Sequence, residues 1–157
     1  MCVRMKVASF DIVFQEIPGE VTLALNLSNC PCHCPGCHSQ HLAQDIGEPL
    51  NEELMDGLIA RYGAMITCVA FMGGDAAPDE VAQWAAYVKE RDLKTAWYSG
   101  RTSYPKNPRA LDYLKLGPYI ESLGGLKSPD TNQRFYKRED DNWIDLTSAF
   151  QKNNLAS

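Results

Sequence analysis

"MITCVAFMGGDAAPDEVAQWAAYVKERDLKTAWYSG", residues 65–100, contains a strand, a turn, a helix and a second strand, and this unit decides the fold class. Residues 65–74 are a short apolar run closed by two glycines, the pattern of a parallel strand buried on both faces. Pro78, Asp79 and Glu80 then open a segment in which Val81, Trp84, Ala85 and Val88 recur at helical spacing. Residues 94–100, "KTAWYSG", form the second strand. Two strands joined through a helix need a crossover and therefore pair in parallel.

The alternation continues on both sides. Residues 20–28, "EVTLALNLS", are apolar at Val21, Leu23, Leu25 and Leu27 with small or polar residues between, which predicts a strand. A loop rich in cysteine follows, and then "PLNEELMDGLIARYG", with Leu50, Leu54, Leu58 and Ile59 on one helical face and Gly63 as its cap. Downstream, "PRALDYLKL" (108–116) is predicted as a helix and "YIESLGG" (119–125) as a further strand. The order predicts an α/β fold with a parallel sheet, helices covering at least one face. The 157 residues carry no repeat, low-complexity tract or linker, so one domain, 1–157, is expected.

Composition narrows the function classes. The formal charge is -5, with acids and bases mixed along the chain, so the basic stripe of a nucleic-acid-binding protein is missing. No run approaches the roughly 20 apolar residues of a membrane span, and the first residues lack a signal-peptide pattern. Four of the six cysteines lie too close together to staple distant segments, and none follows Cys68. Reduced thiols and a cytoplasmic location are expected.

In a parallel α/β sheet the loops that follow the strands share one edge, where ligands bind. Those loops are here "NCPCHCPGCHSQ", "GGDAAP", "SGRTSYPKN" and "GGLKSPDTNQR". The first belongs to a stretch, residues 27–41, that holds Cys30, Cys32, Cys34 and Cys37 together with all three histidines, His33, His38 and His41. Cys30, Cys34 and Cys37 make a C-x3-C-x2-C pattern. Three thiolates on one tight loop can hold three irons of a cubane cluster and leave the fourth iron open, whereas an electron-transfer cluster normally has four cysteines.

This triad, followed after the next strand by Gly73, Gly74 and Asp75, resembles the radical S-adenosylmethionine (SAM) enzymes. "CPGCH" and the later "NQRFY" resemble, more narrowly, the activating proteins of anaerobic (class III) ribonucleoside-triphosphate reductase, over nearly the whole chain. The resemblance implies an incomplete (β/α) barrel of the radical SAM type with a mostly parallel sheet. It implies that Cys30, Cys34 and Cys37 ligate one [4Fe-4S] cluster whose open iron is chelated by the amino and carboxylate groups of SAM. Gly36 and His38 would lie against SAM beside Cys37, Gly73 and Gly74 would approach its amino group through their backbone, and Asp75 would supply an acceptor. Relatives commonly continue this turn with Pro-Leu, where this chain has Ala76, Ala77 and Pro78.

The implied activity is reductive cleavage of SAM and abstraction of a hydrogen atom from a glycine of the reductase, which is left as a stable glycyl radical. Its partners would be the reductase and a low-potential donor such as flavodoxin or ferredoxin. No general acid or base is needed, so no catalytic side chain is named. Two alternatives remain open: a radical SAM enzyme acting on another glycyl-radical protein or a small molecule, and a non-enzymatic zinc or iron-sulfur module. Cys32, His33 and His41 are read as loop residues, Cys68 as a buried small hydrophobe, and Trp84, Trp97 and Trp143 as core or partial core. Ser99, Arg101, Asn132, Gln133 and Arg134 are divided between contacts to cofactor or partner and ordinary loop roles.

Overall fold

The computed structural model describes residues 5–14, 16–28, 47–75, 77–102, 104–105, 108–140 and 142–150. The elements run β1 (Lys6–Val13), β2 (Thr22–Leu27), β3 (Glu48–Pro49), α1 (Glu52–Tyr62), β4 (Cys68–Met72), α2 (Pro78–Lys89), β5 (Lys94–Tyr98), β6 (Tyr113–Leu116), β7 (Arg134–Glu139) and β8 (Asn142–Asp145). A 3-10 turn at Pro108–Ala110 precedes β6. The strands form one sheet in the order β3-β1-β2-β4-β5-β6-β7-β8.

The helices start as the sequence predicts. Asn51 caps α1 by accepting the Leu54 amide at 2.8 Å, and Glu52 and Glu53 occupy its first turn. Pro78 opens α2 with Asp79 and Glu80 behind it. Both helices bury one stripe, Met55 and Leu58 from α1 and Val81, Ala85 and Val88 from α2, against Leu23, Leu25, Leu27, Val69, Phe71, Trp97, Leu114 and Leu116 of the sheet. Among the described residues, the other sheet face carries no helix of comparable length. Ala70, Ala96, Cys68, Tyr113 and Phe135 are covered there by Ile17 and Leu126 from connecting segments and by Phe150 from the helical turn after β8.

The sheet corrects the expected fold class. It is mixed, with β2, β4, β5 and β6 paired in parallel and the other four pairings, β1 with β2 and β3, β6 with β7, and β7 with β8, antiparallel. An α/β incomplete barrel with a mostly parallel sheet is therefore not what the chain forms. The reason lies in the connections: parallel pairing requires a long crossover, and the β7–β8 link is a tight hairpin. The β1–β2 link is likewise too short to cross the sheet. The face that an open barrel leaves free is filled instead by Ile17, Leu126 and Phe150.

Two element predictions fail with it. Residues 108–116 are not a helix but the 3-10 turn and β6, and residues 119–125 are a turn region joined by a single Ile120–Gly124 bridge. In β6, Leu114 and Leu116 enter the helix-covered core while Tyr113 enters the opposite cluster. A strand buried on both faces has apolar residues too close together for its period to be told from a helix. No helix among the described residues is long and apolar enough to cross a membrane.

Candidate functional site

The parallel pairing of β2, β4, β5 and β6 brings the segments after their last residues to one edge of the sheet. Cys30, Cys34, Cys37, Gly36 and His38 lie outside the described residues, in the segment 29–46 between Ser28 and Gly47. Both legs of that segment are described. Val7 pairs with Leu27 on one side and with Glu48 on the other, so one strand, β1, stands between the departing and the returning leg. Strand spacing puts the legs about 10 Å apart.

Gly73, Gly74 and Asp75 stand beside the departing leg. Gly73 and Gly74 have φ of 102° and 84°, which favours glycine. A Cβ on Gly73 would lie 3.2 Å from the Leu27 carbonyl oxygen, and one on Gly74 would lie 2.8 Å from Val81 Cγ2 and 3.0 Å from Leu27 Cδ1. The two glycines therefore let the end of β4 close against the end of β2 and the start of α2. Trp97 Nε1 donates to the Gly73 carbonyl at 2.6 Å and holds the turn from β5.

Asp75 is buried, 1% exposed, and its carboxylate ties the next loop to this turn. Oδ1 accepts the Ser99 hydroxyl and Oδ2 the Gly100 amide at 3.0 Å, while Arg101 donates to the Asp75 carbonyl and lies 3.8 Å from its carboxylate. The edge continues to β6. Lys115 Nζ donates to the carbonyls of Ser99 and Gly117 at 3.1 and 3.0 Å, over the Tyr98 ring. Gln133 Nε2 donates to the Gly117 carbonyl and Asn132 Nδ2 to that of Pro118. Ser99, Arg101, Asn132 and Gln133 thus hold one loop to the next, and Arg134 is exposed at the start of β7.

Sequence reasoning missed three members of this edge. Lys115 lies in a segment whose pattern predicts a helix, Trp97 reads as core with no sign of its hydrogen bond, and Gly47 carries no motif. Gly47 has φ 97°, and a Cβ there would stand 2.2 Å from the Val7 carbonyl oxygen. Only glycine lets the returning leg pass so close to β1. Cys68, the remaining described cysteine, is buried with its thiol pushed up to about 12 by desolvation, as a core residue would be.

Among the described residues no group of three or more His, Cys, Asp or Glu is arranged to hold a metal ion. The donor set that suits one is the thiolate triad of the segment between the two legs, with soft ligands of the kind iron-sulfur clusters take. The Ser28 hydroxyl, at the foot of the departing leg, is buried without a hydrogen-bond partner among the described residues. The residues present fit an iron-sulfur cluster. Residues 18–110 match the family described as 4Fe-4S single cluster domain. No curated protein and no solved structure gives a significant match.

Proposed function

The chain belongs to the family of 4Fe-4S single cluster domains, and from this premise we propose that it is a radical SAM activase that generates the glycyl radical of anaerobic ribonucleoside-triphosphate reductase. A 4Fe-4S cluster-binding domain is present. The observation that carries the finer reading is the count of thiolates: Cys30, Cys34 and Cys37 leave one iron of a cubane without a protein ligand, which suits a cluster that binds a small molecule. When bound, the cluster would supply one electron to the sulfonium of SAM, and the cleaved cofactor would take a hydrogen atom from a glycine of the reductase.

The remaining roles fall to this chain's own residues. Cys30, Cys34 and Cys37 would hold the cluster, and Gly36 and His38 would flank the cofactor beside Cys37. Gly73 and Gly74 present backbone groups at the same edge, stiffened by the Trp97 indole. Asp75, with its carboxylate on Ser99 and Gly100, holds the rim of the site. The reductase and a flavodoxin or ferredoxin donor complete the reaction.

Anaerobic reconstitution with iron and sulfide, followed by reduction with SAM and the anaerobic reductase, tests this. A glycyl radical detected by EPR on the reductase is expected. Cluster absorption and SAM cleavage without that radical would redirect the assignment to another glycyl-radical protein or a small-molecule substrate, and a zinc-only protein with no cluster would reject enzyme function. Cys30→Ala, Cys34→Ala and Cys37→Ala should each abolish SAM cleavage, whereas Cys32→Ala should retain it.

A further inference from the structure

We propose that residues Met5 to Val7 are a clasp that holds the two legs of the cysteine loop, with Gly47 as its positioning residue, so that cluster binding and clasp closure stabilise each other. The inference rests on the cluster-binding reading and concerns how the fold prepares the loop.

The hydrogen bonds of this short segment divide between the legs. The Ser28 amide donates to the Lys6 carbonyl at 3.0 Å, and the Leu50 amide donates to the Met5 carbonyl at 2.8 Å. Val7 is the register partner of both Leu27 and Glu48. Gly47 completes the return, because its backbone lies so close to Val7 that any side chain would collide with the Val7 carbonyl. The pairing of β1 with β3 covers only Lys6 and Val7, so these contacts serve the loop and extend the sheet very little.

The clasp is also tied to the Gly73–Gly74 turn. The Met5 amide donates to Glu80 Oε2 of α2 at 3.0 Å, and the Met5 sulfur lies 3.2 Å from where a Cβ on Gly74 would stand. Met5 is buried, next to the core under that turn. Met5 thus joins the returning leg to the start of α2, and Lys6 beside it holds the departing leg.

The coupling follows from chain entropy. Gathering three thiolates on a loop whose ends are free requires closing the loop and ordering it together, whereas fixed ends lower that cost. A cluster that binds the closed form alone must in return stabilise the clasp by the same free energy.

The test uses the full chain, reconstituted anaerobically, in wild type, Gly47→Ala, Glu80→Ala and Trp143→Ala. Glu80→Ala removes the acceptor of the Met5 amide without touching the loop, and Trp143→Ala perturbs the far end of the sheet. Two quantities are read: hydrogen exchange of loaded against cluster-free protein, and the rate of iron release to a ferrous chelator. Loading should slow exchange in peptides covering residues 5–10 and 47–50 and leave residues 134–145 unchanged. Iron release should be about tenfold faster in Gly47→Ala, from the strain of a side chain at positive φ, faster by a smaller factor in Glu80→Ala, and unchanged in Trp143→Ala. Equal exchange at the clasp with the cluster assembled would overturn the proposal, as would wild-type iron release in both Gly47→Ala and Glu80→Ala, or release in Trp143→Ala as fast as in Glu80→Ala. If Gly47→Ala does not fold, Glu80→Ala and the exchange comparison decide alone. Failure of wild type to assemble any cluster would count against the family reading instead.

Discussion

Glycine carries most of the information at the residue scale. Gly73 and Gly74 stand out in the sequence as a pair ending an apolar run, where close approach to a ligand is the expected reason for them, and the structure gives them a second one. Their missing side chains face Leu27, Val81 and Met5, so the pair is also a packing device that joins β4 to β2 and α2. Gly74→Ala should destabilise the protein by roughly 2–4 kcal/mol, combining positive-φ strain with an overpacked contact to Val81. Chemical denaturation of the cluster-free chain measures this directly. Gly47, which is under greater constraint, stands in the sequence as a lone glycine before Glu48-Pro49. Its neighbour Val7 is forty residues away, and no local pattern records such a contact.

At the scale of elements, the legible parts were those whose partners matter least to their identity. The strands at 22–27, 68–72 and 94–98 and the helices at 52–62 and 78–89 follow from period and capping alone. Residues 108–116 read as a helix because β6 is buried on both faces, Leu114 and Leu116 on one and Tyr113 on the other, and so shows no polar alternation. The consequence reaches the surface. Where a third helix would have covered the far end of the sheet, Tyr104 from the loop after β5 lies 5.5 Å from Tyr136 and stacks on Trp143 at 6.2 Å between ring centroids. Burial and the Tyr104 hydrogen bond push the Tyr136 phenol up to about 12. Trp143→Ala should cost roughly 1–3 kcal/mol, and a double-mutant cycle with Tyr104→Ala should return a coupling of about 0.5–1.5 kcal/mol. Thermal or denaturant melts of the four proteins supply the numbers, and additivity would show that the stack contributes no energy.

Across the whole molecule, the two ends of the parallel strands divide the work. The hydrogen-bonded turns after β4, β5 and β6 occupy one edge, while the opposite edge carries a buried charge. Glu20, 8% exposed, accepts from Lys94 Nζ at 2.9 Å and from the Tyr113 hydroxyl at 2.8 Å. Burial alone would raise the Glu20 carboxyl, but hydrogen bonds from Lys94, Thr67 and Tyr113 outweigh it and hold the group below its ordinary 4.5. The hydrogen bond to Glu20 raises Lys94 above its ordinary 10.5. A depressed carboxylate contributes stability above its unfolded value and loses it as pH falls through the folded one, and a raised lysine contributes below its unfolded value and loses it as pH rises. Glu20→Gln should therefore cost about 1–2 kcal/mol at neutral pH, and the gap to wild type should narrow below pH 4.5 and above pH 10.5. Denaturation midpoints measured across that range check both signs. The sequence by itself determined the thiolate triad, the glycine pair and the periods of the central strands and helices, because each is written within a few consecutive residues. The mixed sheet, the strands β1, β7 and β8 on its flanks, and the pairing of β1 with both β2 and β3 were decided by tertiary structure. A strand's direction and neighbours depend on connection length and on residues far along the chain, and hydrogen bonds between distant backbones leave no mark on either segment alone.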